Sequence, residues 1–460
     1  MLTNSLLELD RDHLIHSVVN WSDHERRGVT VLQSANGVFV KDMEGRTLLD
    51  AFSGLWCVNV GYGRQSIVEV AAEQMSRLPY ATGYFHFGAE PTIRLAAKLA
   101  ELAPGDLNHV FFTLGGSDAV DTALRFIRFH ANVTGRPGKK HIISLDKGYH
   151  GSSTTGAGVT GLPGFHLNFD VPLPFQHKIP AAYPYRHPDG ADDAALIASS
   201  VKALRDKVAE IGGPEQVAAF FAEPIQGSAG VIVPPKGWLT AMREACREMD
   251  ILFVADEVIT GFGRTGTMFG CDYEDVTPDI MTLAKGLTSG YSPMGAVLLS
   301  ERIYREMRDG APAGVAIGHG LTYSGHPVSA AVGLEVLRLY TEEGIVANGA
   351  RVGERFERRL REVIDHPLVG DVRSRGLLAG VELVTSKANK TKPDPSLGLP
   401  ALLSKIGYDN GLIFRAFNDG VVGFAPPLSC TDDEIDTIIE RFKATLDGAL
   451  NTKEIRDALD

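Results

Sequence analysis

The feature that most constrains the fold is an unbroken apolar run at residues 251–255, which is followed at once by Asp256. Such a run of β-branched and aromatic residues is typical of a strand buried on both faces, as in a parallel sheet covered by helices. Residues 279–284 predict a second strand, and Lys285 follows it directly. Because ligands of open α/β sheets bind outside the carboxyl ends of the strands, we expect Asp256 and Lys285 to meet at one edge of the sheet.

The segment 64–326 alternates predicted helices with predicted strands, which favours an α/β fold with a mostly parallel sheet. Further strands are predicted at residues 110–113, 141–145 and 217–222, and helices at 91–102 and 117–129. Residues 162–190 contain six prolines without clear periodicity. We expect them to form a long loop over the site, without secondary structure of its own.

The two ends of the chain are predicted to form a smaller α+β domain. Asn36 and Gly37 separate two apolar stretches and indicate a hairpin, since both residues tolerate positive φ. Strands predicted at 377–383 and 412–415, with a final helix at 431–446, supply the C-terminal part. The expected organisation is an N-terminal segment of the small domain with a pocket loop (1–63), a large cofactor-binding domain (64–326) and a C-terminal small domain (327–460).

Composition narrows the classes of partner. The net charge of −12 argues against nucleic acid or an anionic membrane as a partner. The four cysteines lie far apart and the histidines show no zinc-ligand spacing, so no metal site is expected. The first ten residues carry acidic side chains where a signal peptide needs a basic start, and no apolar run approaches the roughly 20 residues that span a bilayer. We therefore expect a cytoplasmic protein.

An amine and a carboxylate at neighbouring strand ends match the needs of one cofactor. Pyridoxal phosphate (PLP) is held through a Schiff base to a lysine, and a carboxylate keeps its ring nitrogen protonated so that the ring acts as an electron sink. Lys285 and Asp256 are the candidates for these catalytic roles. A structural aspartate and a surface lysine are the alternative explanation of the same two residues.

Residues 256–266, together with 284–287 and 293–296, resemble the motifs of class III (subgroup II) PLP-dependent aminotransferases, and the resemblance extends over nearly the whole chain. It implies PLP fold type I, the aspartate-aminotransferase-like fold, with a large domain around a mostly parallel sheet and a smaller α+β domain from both termini. It also implies a homodimer or dimer of dimers with shared active sites. Thr322 matches a threonine of that family that reaches the phosphate bound by the neighbouring subunit.

Residues 114–117 connect a predicted strand to a predicted helix, so free backbone N–H groups and the positive end of the helix dipole would point at a bound anion. Ser117 is expected to be the N-cap of that helix. The resemblance assigns phosphate contacts to Gly116 and Ser117. The other implied cofactor contacts are Tyr149, which stacks on the ring with His150 beside it, Val258 on the opposite ring face, and Glu223 next to the cofactor.

Four residues, Trp56, Phe85, Tyr149 and Arg415, resemble the substrate-binding residues of ω-amino acid and amine:pyruvate transaminases. Ser228 stands where relatives that use 2-oxoglutarate often carry a glutamate. The resemblance therefore favours an ω-transaminase that transfers an amino group from an ω-amino acid such as β-alanine, a diamine or an arylalkylamine to pyruvate, with Arg415 as the arginine that moves to pair with carboxylates. The alternatives are a 2-oxoglutarate-dependent class III enzyme of GABA or ornithine type and a non-transaminase PLP enzyme of the same fold.

Residues 261–266 formally match G-x-G-x-x-G, the dinucleotide-binding pattern. The true motif follows a strand immediately and opens a helix. Here residues 256–260 intervene after the strand, and residues 267–272 lack helical periodicity. A nicotinamide-dependent oxidoreductase is therefore only a distant alternative.

Overall fold

The computed structural model describes residues 5–459. The strands are β1 Leu32–Asn36, β2 Phe39–Asp42, β3 Thr47–Asp50, β4 His109–Thr113, β5 His141–Leu145, β6 Gln176–Ile179, β7 Val217–Ala222, β8 Leu252–Asp256, β9 Ile280–Leu283, β10 Gly295–Leu299, β11 Val369–Arg375, β12 Leu378–Leu383, β13 Leu412–Ile413, β14 Arg415–Ala416 and β15 Val421–Phe424. The helices are α1 Leu6–His13, α2 Trp21–Arg27, α3 Ser53–Trp56, α4 Gln65–Arg77, α5 Glu90–Leu102, α6 Gly116–Val133, α7 Thr154–Val159, α8 Asp193–Ile211, α9 Trp238–Glu248, α10 Glu301–Gly310, α11 Pro327–Thr341, α12 Ile345–Leu360, α13 Leu399–Asp409, α14 Asp432–Leu450 and α15 Lys453–Arg456.

A seven-stranded sheet forms the centre of the molecule, in the order β4-β10-β9-β8-β7-β5-β6. The pairs from β9 to β6 are parallel, and β10 is antiparallel to both of its neighbours. This arrangement confirms the prediction of an α/β fold with a mostly parallel sheet. It also brings β8 and β9 side by side, with Asp256 in register with Thr282.

Helices cover both faces of this sheet, which explains the unbroken apolar runs of its central strands. On one face Phe220 and Phe253 pack in a cluster with Trp238 of α9. On the other face Phe221 and Val254 pack in a cluster with Ile127 of α6. Since successive side chains of a strand point to opposite faces, each residue of β7 and β8 is buried on one side or the other.

Two smaller four-stranded sheets contain the strands from the chain ends, in the orders β1-β2-β3-β13 and β11-β12-β15-β14. The predicted hairpin is confirmed, because Asn36 pairs with Phe39 across the β1–β2 turn. Strand β13 joins the N-terminal strands in parallel, with Leu412 in register with Leu49. The domain boundaries at 63/64 and 326/327 stay predictions, and α11, which begins at Pro327, packs on α4 and α5.

The expectation that residues 162–190 lack secondary structure is wrong. Strand β6 lies within this segment and pairs in parallel with β5. Prolines flank β6 on both sides, and they are tolerated there because β6 is an edge strand whose outer side needs no partner. The segment Gln176–Ile179 is too short and too polar to indicate a strand without the neighbouring strand.

None of the helices within residues 5–459 has the length and apolar character that a membrane span needs.

Candidate active site

The carboxyl ends of β8 and β9 bring the predicted acid and amine to one edge of the sheet. Asp256 is the last residue of β8 and is only 3% exposed. Lys285 follows β9 after Ala284, is partly buried, and has a left-handed backbone with φ of 41°. Such a conformation costs a non-glycine residue about 1–3 kcal/mol and is concentrated at functional sites.

The Asp256 carboxylate is held by two hydrogen bonds. His150 Nδ1 lies 2.7 Å from Oδ2, and the backbone N–H of Val258 donates to Oδ1 at 3.1 Å. His150 is itself fixed, because its backbone N–H donates to Thr160 Oγ1 at 2.8 Å. The other ring nitrogen of His150, Nε2, is buried and has no partner in the described structure. The carboxylate is therefore oriented by the protein before any ligand binds.

Burial of the Lys285 amine lowers its pKa, while the neighbouring groups Cys57, Asp256 and Glu223 act in the opposite direction. A lysine whose pKa is lowered carries a neutral amine more often at neutral pH. This is the form that attacks a carbonyl carbon and accepts a proton.

A second buried acid, Glu223, lies directly after β7. Its Oε1 accepts the backbone N–H of Tyr149 and its Oε2 accepts that of Gly227, both at 2.9 Å. Burial raises the pKa of Glu223 to about 7, and the charge of Asp256 acts in the same direction. Glu223 thus ties the segment that carries Tyr149 to the end of β7. The ring of Tyr149 packs edge to face on Phe165, with centroids 5.2 Å apart.

The predicted anion site lies at the start of α6, and the structure corrects one detail of it. The helix begins at Gly116 and its N-cap is Gly115, so Ser117 lies inside the first turn and the expectation that it is the N-cap is wrong. No side chain caps this helix, which leaves its first N–H groups for a ligand. Glycine at 116 lets the first turn approach the loop that carries Val258. A Cβ on Gly116 would meet Val258 Cγ1 at 3.0 Å.

The hydroxyl of Ser117 is turned toward the loop that follows His150. It accepts the backbone N–H of Ser152 at 3.2 Å. Gly151 passes so close that a Cβ on it would lie 2.7 Å from Ser117 Oγ, and its φ of 100° also requires glycine. Ser117, His150 and Asp256 are therefore linked through one short loop. An amine, a fixed carboxylate, an unpartnered buried imidazole nitrogen and an uncapped helix N-terminus together fit PLP.

Arg415 lines a cavity of about 850 Å³ that also contacts Ser152, Phe165, Ser228 and Phe417. The guanidinium lies 5.6 Å from the ring of Phe417. Within residues 5–459 it forms no ion pair, although a carboxylate would be its natural partner. The cavity thus connects the predicted carboxylate-binding arginine to the loop next to Ser117 and to the ring that packs on Tyr149.

Trp56 is buried and does not face an open pocket. It is 3% exposed, packs on Phe52 with ring centroids 4.5 Å apart and stacks behind Phe417 at 6.5 Å. It therefore supports the wall on which Arg415 rests. Its role in substrate binding stays a prediction.

The structure leaves Phe85 and Thr322 on the surface. Phe85 is 82% exposed, and its ring contacts Tyr84. Thr322 is exposed, and its carbonyl oxygen accepts the Tyr80 hydroxyl at 2.9 Å. Throughout the part of the chain that the structure describes, neither residue is joined to the Lys285 group by a hydrogen bond or an aromatic contact. Their predicted roles require a second chain.

Sequence analysis missed two buried residues that hold the pocket loop, residues 53–63. Asp50 accepts the backbone N–H groups of Phe52 and Gly54 and the hydroxyl of Tyr62. Arg264 is fully buried and donates to Asn59 Oδ1 at 2.6 Å and to the carbonyl oxygens of Leu377 and Pro426. The signal for Arg264 in the sequence is that a charged residue lies within the glycine-rich segment 261–266. The partners of Arg264 lie too far away in the sequence to be inferred from it.

Comparison with known proteins identifies similar chains along the whole length. A family model described as aminotransferase class-III matches residues 21–446. The chain is 42% identical over 443 residues to the putrescine–pyruvate aminotransferase of Pseudomonas aeruginosa, and the aligned residues cover 95% of each protein. It is 37% identical over 443 residues to the diaminobutyrate–2-oxoglutarate transaminase of Halomonas elongata, covering 95% of this chain and 94% of the relative. The structure of a Pseudomonas jessenii ω-transaminase in complex with PMP matches with a TM-score of 0.94 at 38% identity, covering 97% of this chain and 98% of that one.

Proposed function

Because this chain belongs to the class III aminotransferases, a family of PLP-dependent enzymes of PLP fold type I, we propose that it is an ω-transaminase that uses pyruvate as amino acceptor. The amino donor would be an ω-amino acid or an amine, in the class of β-alanine, diamines and arylalkylamines. The two substrates would react in alternation at one site, a ping-pong mechanism. The similarity to a putrescine–pyruvate enzyme supports this assignment.

PLP, when bound, supplies an electron sink for the charge that remains on the donor carbon after its proton is removed. The Lys285 Nζ amine would hold the cofactor covalently and, once displaced by the donor, would carry the proton from the donor carbon as general base and then general acid. The lowered pKa of Lys285 suits this exchange, since a neutral amine is needed to accept the proton.

Asp256 would keep the ring nitrogen of the cofactor protonated. Its carboxylate is already oriented by His150 Nδ1 and the Val258 N–H, so little rearrangement is needed when the charge pair forms. The uncapped start of α6 with Gly116 and Ser117 would bind the phosphate. Tyr149 and Val258 would enclose the ring from its two faces, with Glu223 fixing the backbone of Tyr149.

The observation that carries the choice of acceptor is the environment of Arg415. It lines the same cavity as Ser228 and has no carboxylate partner in the described part of the chain. A glutamate at position 228 would place a carboxylate in this cavity in addition to that of Asp419, which already pairs with Lys147 and Lys392. With serine there, Arg415 is available to donate two parallel hydrogen bonds to the carboxylate of a small keto acid. Simple amines lack a carboxylate and would leave it unpaired.

The test compares acceptors in a separate half-reaction. Enzyme first converted to its amine form with a donor is mixed with pyruvate or with 2-oxoglutarate, and the recovery of the cofactor absorption band is followed. We expect pyruvate to react with the larger kcat/KM by at least about tenfold. A preference for 2-oxoglutarate would favour the alternative that the Halomonas elongata relative represents. No spectral cycle with any amine and keto acid would indicate a non-transaminase PLP enzyme.

Position 228 allows a sharper version of this test. We expect Ser228→Glu to weaken pyruvate binding, because the new carboxylate pairs with Arg415. Ser228→Gln has nearly the same volume without the charge and is the matched control. If both variants lose the same affinity for pyruvate, the effect is steric and the charge argument fails.

We also propose a homodimer, or a dimer of dimers, in which the sites are shared between chains. The exposed segment around Tyr80 contacts the exposed segment around Tyr323. The ring centroids of Tyr80 and Tyr323 lie 5.9 Å apart, and the Tyr80 hydroxyl donates to the Thr322 carbonyl oxygen. Further exposed large apolar side chains on these segments and next to them are Tyr84, Phe85, Phe87, Ile93, Val315 and Ile317. A contiguous apolar surface of this kind is typical of an interface. Thr322 and Phe85 would then reach the partner's cofactor and substrate.

Mixed dimers test the sharing. A Lys285→Ala chain paired with a Thr322→Ala chain forms one site that lacks both groups and one site that has both. We expect the mixture to gain activity over the Thr322→Ala protein alone, with light scattering confirming the dimer. No gain after demonstrated chain exchange would rule out sharing through Thr322.

A further inference from the structure

Three side chains with metal-binding atoms converge in the N-terminal segment, residues 5–28. His16 Nε2 lies 2.7 Å from Asp10 Oδ1, and His24 Nε2 lies 3.0 Å from Asp10 Oδ2. One ligand atom from each residue lies within 4.8 Å of the other two. Within residues 5–459 this is the one group of histidine, cysteine and acidic side chains that meets this condition. The sequence spacing of 6 and 8 residues matches no familiar zinc motif, which is why the group is not predicted from the sequence.

The donor set suits a transition metal of the zinc class. Two imidazole nitrogens and one carboxylate oxygen are ligands of zinc, whereas magnesium and calcium prefer oxygen alone. With ligand bonds of about 2.0–2.1 Å, the ligand atoms of a tetrahedral zinc lie roughly 3.3 Å apart, so interatomic distances that now lie between 2.7 and 4.8 Å need change by no more than about 1.5 Å. Two hydrogen bonds from the histidines to Asp10, without a metal, are the competing explanation of the same geometry.

The group is accessible to a cation and to the water that would complete its coordination. Its side chains are 11–25% exposed. His16 and His24 both line a cavity of about 390 Å³ at the surface. His16 also lines the larger cavity that contains Arg415, together with Ile15, Val18 and other residues of the same segment. The group thus lies where the N-terminal segment forms a wall of the cavity that contains Arg415.

The segment has little else to hold its shape. Neither α1, with eight residues, nor α2, with seven, contains a buried residue. Helices this short are marginal without packing. Asp10 lies in α1, His24 in α2 and His16 in the connection between them, so one ion would join all three parts. From this geometry we propose that Asp10, His16 and His24 bind one zinc-class divalent cation, which fastens the N-terminal segment as a wall of the cavity that contains Arg415.

The experiment measures zinc binding to the PLP-loaded enzyme after chelation and removal of the chelator, by calorimetry with ZnCl2 and by elemental analysis. We expect one zinc per chain for the wild type. His16→Ala and His24→Ala should each lose at least about tenfold in affinity, since even disturbing groups behind a ligand costs that much. His13→Ala is the matched control, because His13 is an exposed histidine of α1 outside the group. MgCl2 should give no binding.

A second control addresses the other close pair of histidines, His141 and His177, whose ring nitrogens lie 2.7 Å apart. His177→Ala should bind zinc like the wild type. Loss of the zinc in His177→Ala, or equal affinity of the wild type and the double variant His16→Ala/His24→Ala, would overturn the site.

The fastening is tested by trypsin, which cleaves after the exposed Arg26 and Arg27 of α2. We expect ZnCl2 to slow release of the N-terminal peptide, seen by mass spectrometry, in the wild type and in His13→Ala but not in His24→Ala. Unchanged cleavage of the zinc-bound wild type would refute the structural role. Because neither readout involves turnover, failure of the proposed transaminase activity would leave both results intact.

Discussion

Replacing Arg415 by alanine should separate the two halves of the reaction. The side chain lines the cavity, stacks on Phe417 and forms no ion pair among the residues described. Removing it therefore breaks no ion pair and loses one internal contact, the one with Phe417. It also removes the proposed donor of hydrogen bonds to a substrate carboxylate. We expect Arg415→Ala to weaken pyruvate and amino-acid donors while leaving simple amines nearly unchanged.

The size of the loss follows from the kind of contact. A hydrogen bond to a charged group contributes about 1.5–3 kcal/mol, and each 1.4 kcal/mol is a factor of ten in affinity. The expected loss is therefore roughly 10- to 100-fold. Since Arg415 is exposed to the water of an 850 Å³ cavity, the lower part of this range applies.

The assay is a pair of stopped-flow half-reactions. The amine form of the enzyme is titrated with pyruvate, and the cofactor-loaded form is titrated separately with β-alanine and with an arylalkylamine that lacks a carboxylate. Arg415→Lys is the control, because it keeps the charge and loses the planar fork. It should retain part of the pyruvate affinity. Equal losses for pyruvate and for the simple amine would refute the argument that Arg415 recognises carboxylates.

The remaining predictions concern the edge of the central sheet. Lys285→Ala should abolish turnover and the absorption band of the lysine-bound cofactor, and a borohydride-reduced protein–cofactor adduct in that variant would contradict the assignment. Asp256→Asn should slow the single-turnover rate by roughly 10²–10³-fold, as expected for loss of one preorganised charge, whereas near-wild-type rates would make Asp256 structural only. For Glu223 the folded pKa of about 7 lies above its ordinary value of 4.5, so its effect on stability is neutral below about pH 4.5, grows more unfavourable up to about pH 7 and is constant above that. The stability difference between Glu223→Gln and the wild type should therefore shift in favour of the variant by up to about 3 kcal/mol across this pH range, added to a pH-independent loss because the amide has one acceptor oxygen for the N–H groups of Tyr149 and Gly227. Urea unfolding of the cofactor-free proteins measures this, and a difference that does not change with pH would show that Glu223 does not titrate there.

The strands of the central sheet and the positions of Asp256 and Lys285 at its edge were predictable because each is indicated by a short stretch of sequence. Strands β5 and β7 were predicted at their observed bounds, since buried strands of a parallel sheet are apolar at every position. Asp256 and Lys285 follow such strands directly, so strand prediction alone places them at one edge. The family motifs then supply the chemistry, although they say nothing of how His150 orients Asp256.

The features that the sequence did not predict depend on contacts with residues remote in the sequence. Strand β6 exists because β5 lies beside it, not because of its own pattern. The N-cap of α6 lies at Gly115 and not at Ser117, and the residues next to the first turn of this helix, Gly151 and Val258, come from other loops. The Asp10–His16–His24 group requires a turn of the chain between two short helices, and nothing in their spacing indicates that turn.

The same contrast explains why the cofactor is easier to infer than the substrate. The residues proposed to hold PLP lie on segments that leave one edge of one sheet, so the geometry of the strands sets their positions. The cavity that contains Arg415 is lined mainly by loops instead. The predicted pocket loop, residues 53–63, lies behind it through the contact of Trp56 with Phe417. This loop contains the non-glycine residues Ser53 and Trp56 at positive φ, a strain that persists because Asp50 and Arg264 hold the loop from both sides. Arg264 also donates to the carbonyl oxygens of Leu377 and Pro426, so the C-terminal part is joined to this loop without contacting Lys285 or Asp256. We therefore expect substitutions in the C-terminal part to change donor and acceptor preference while the proposed catalytic residues stay in place.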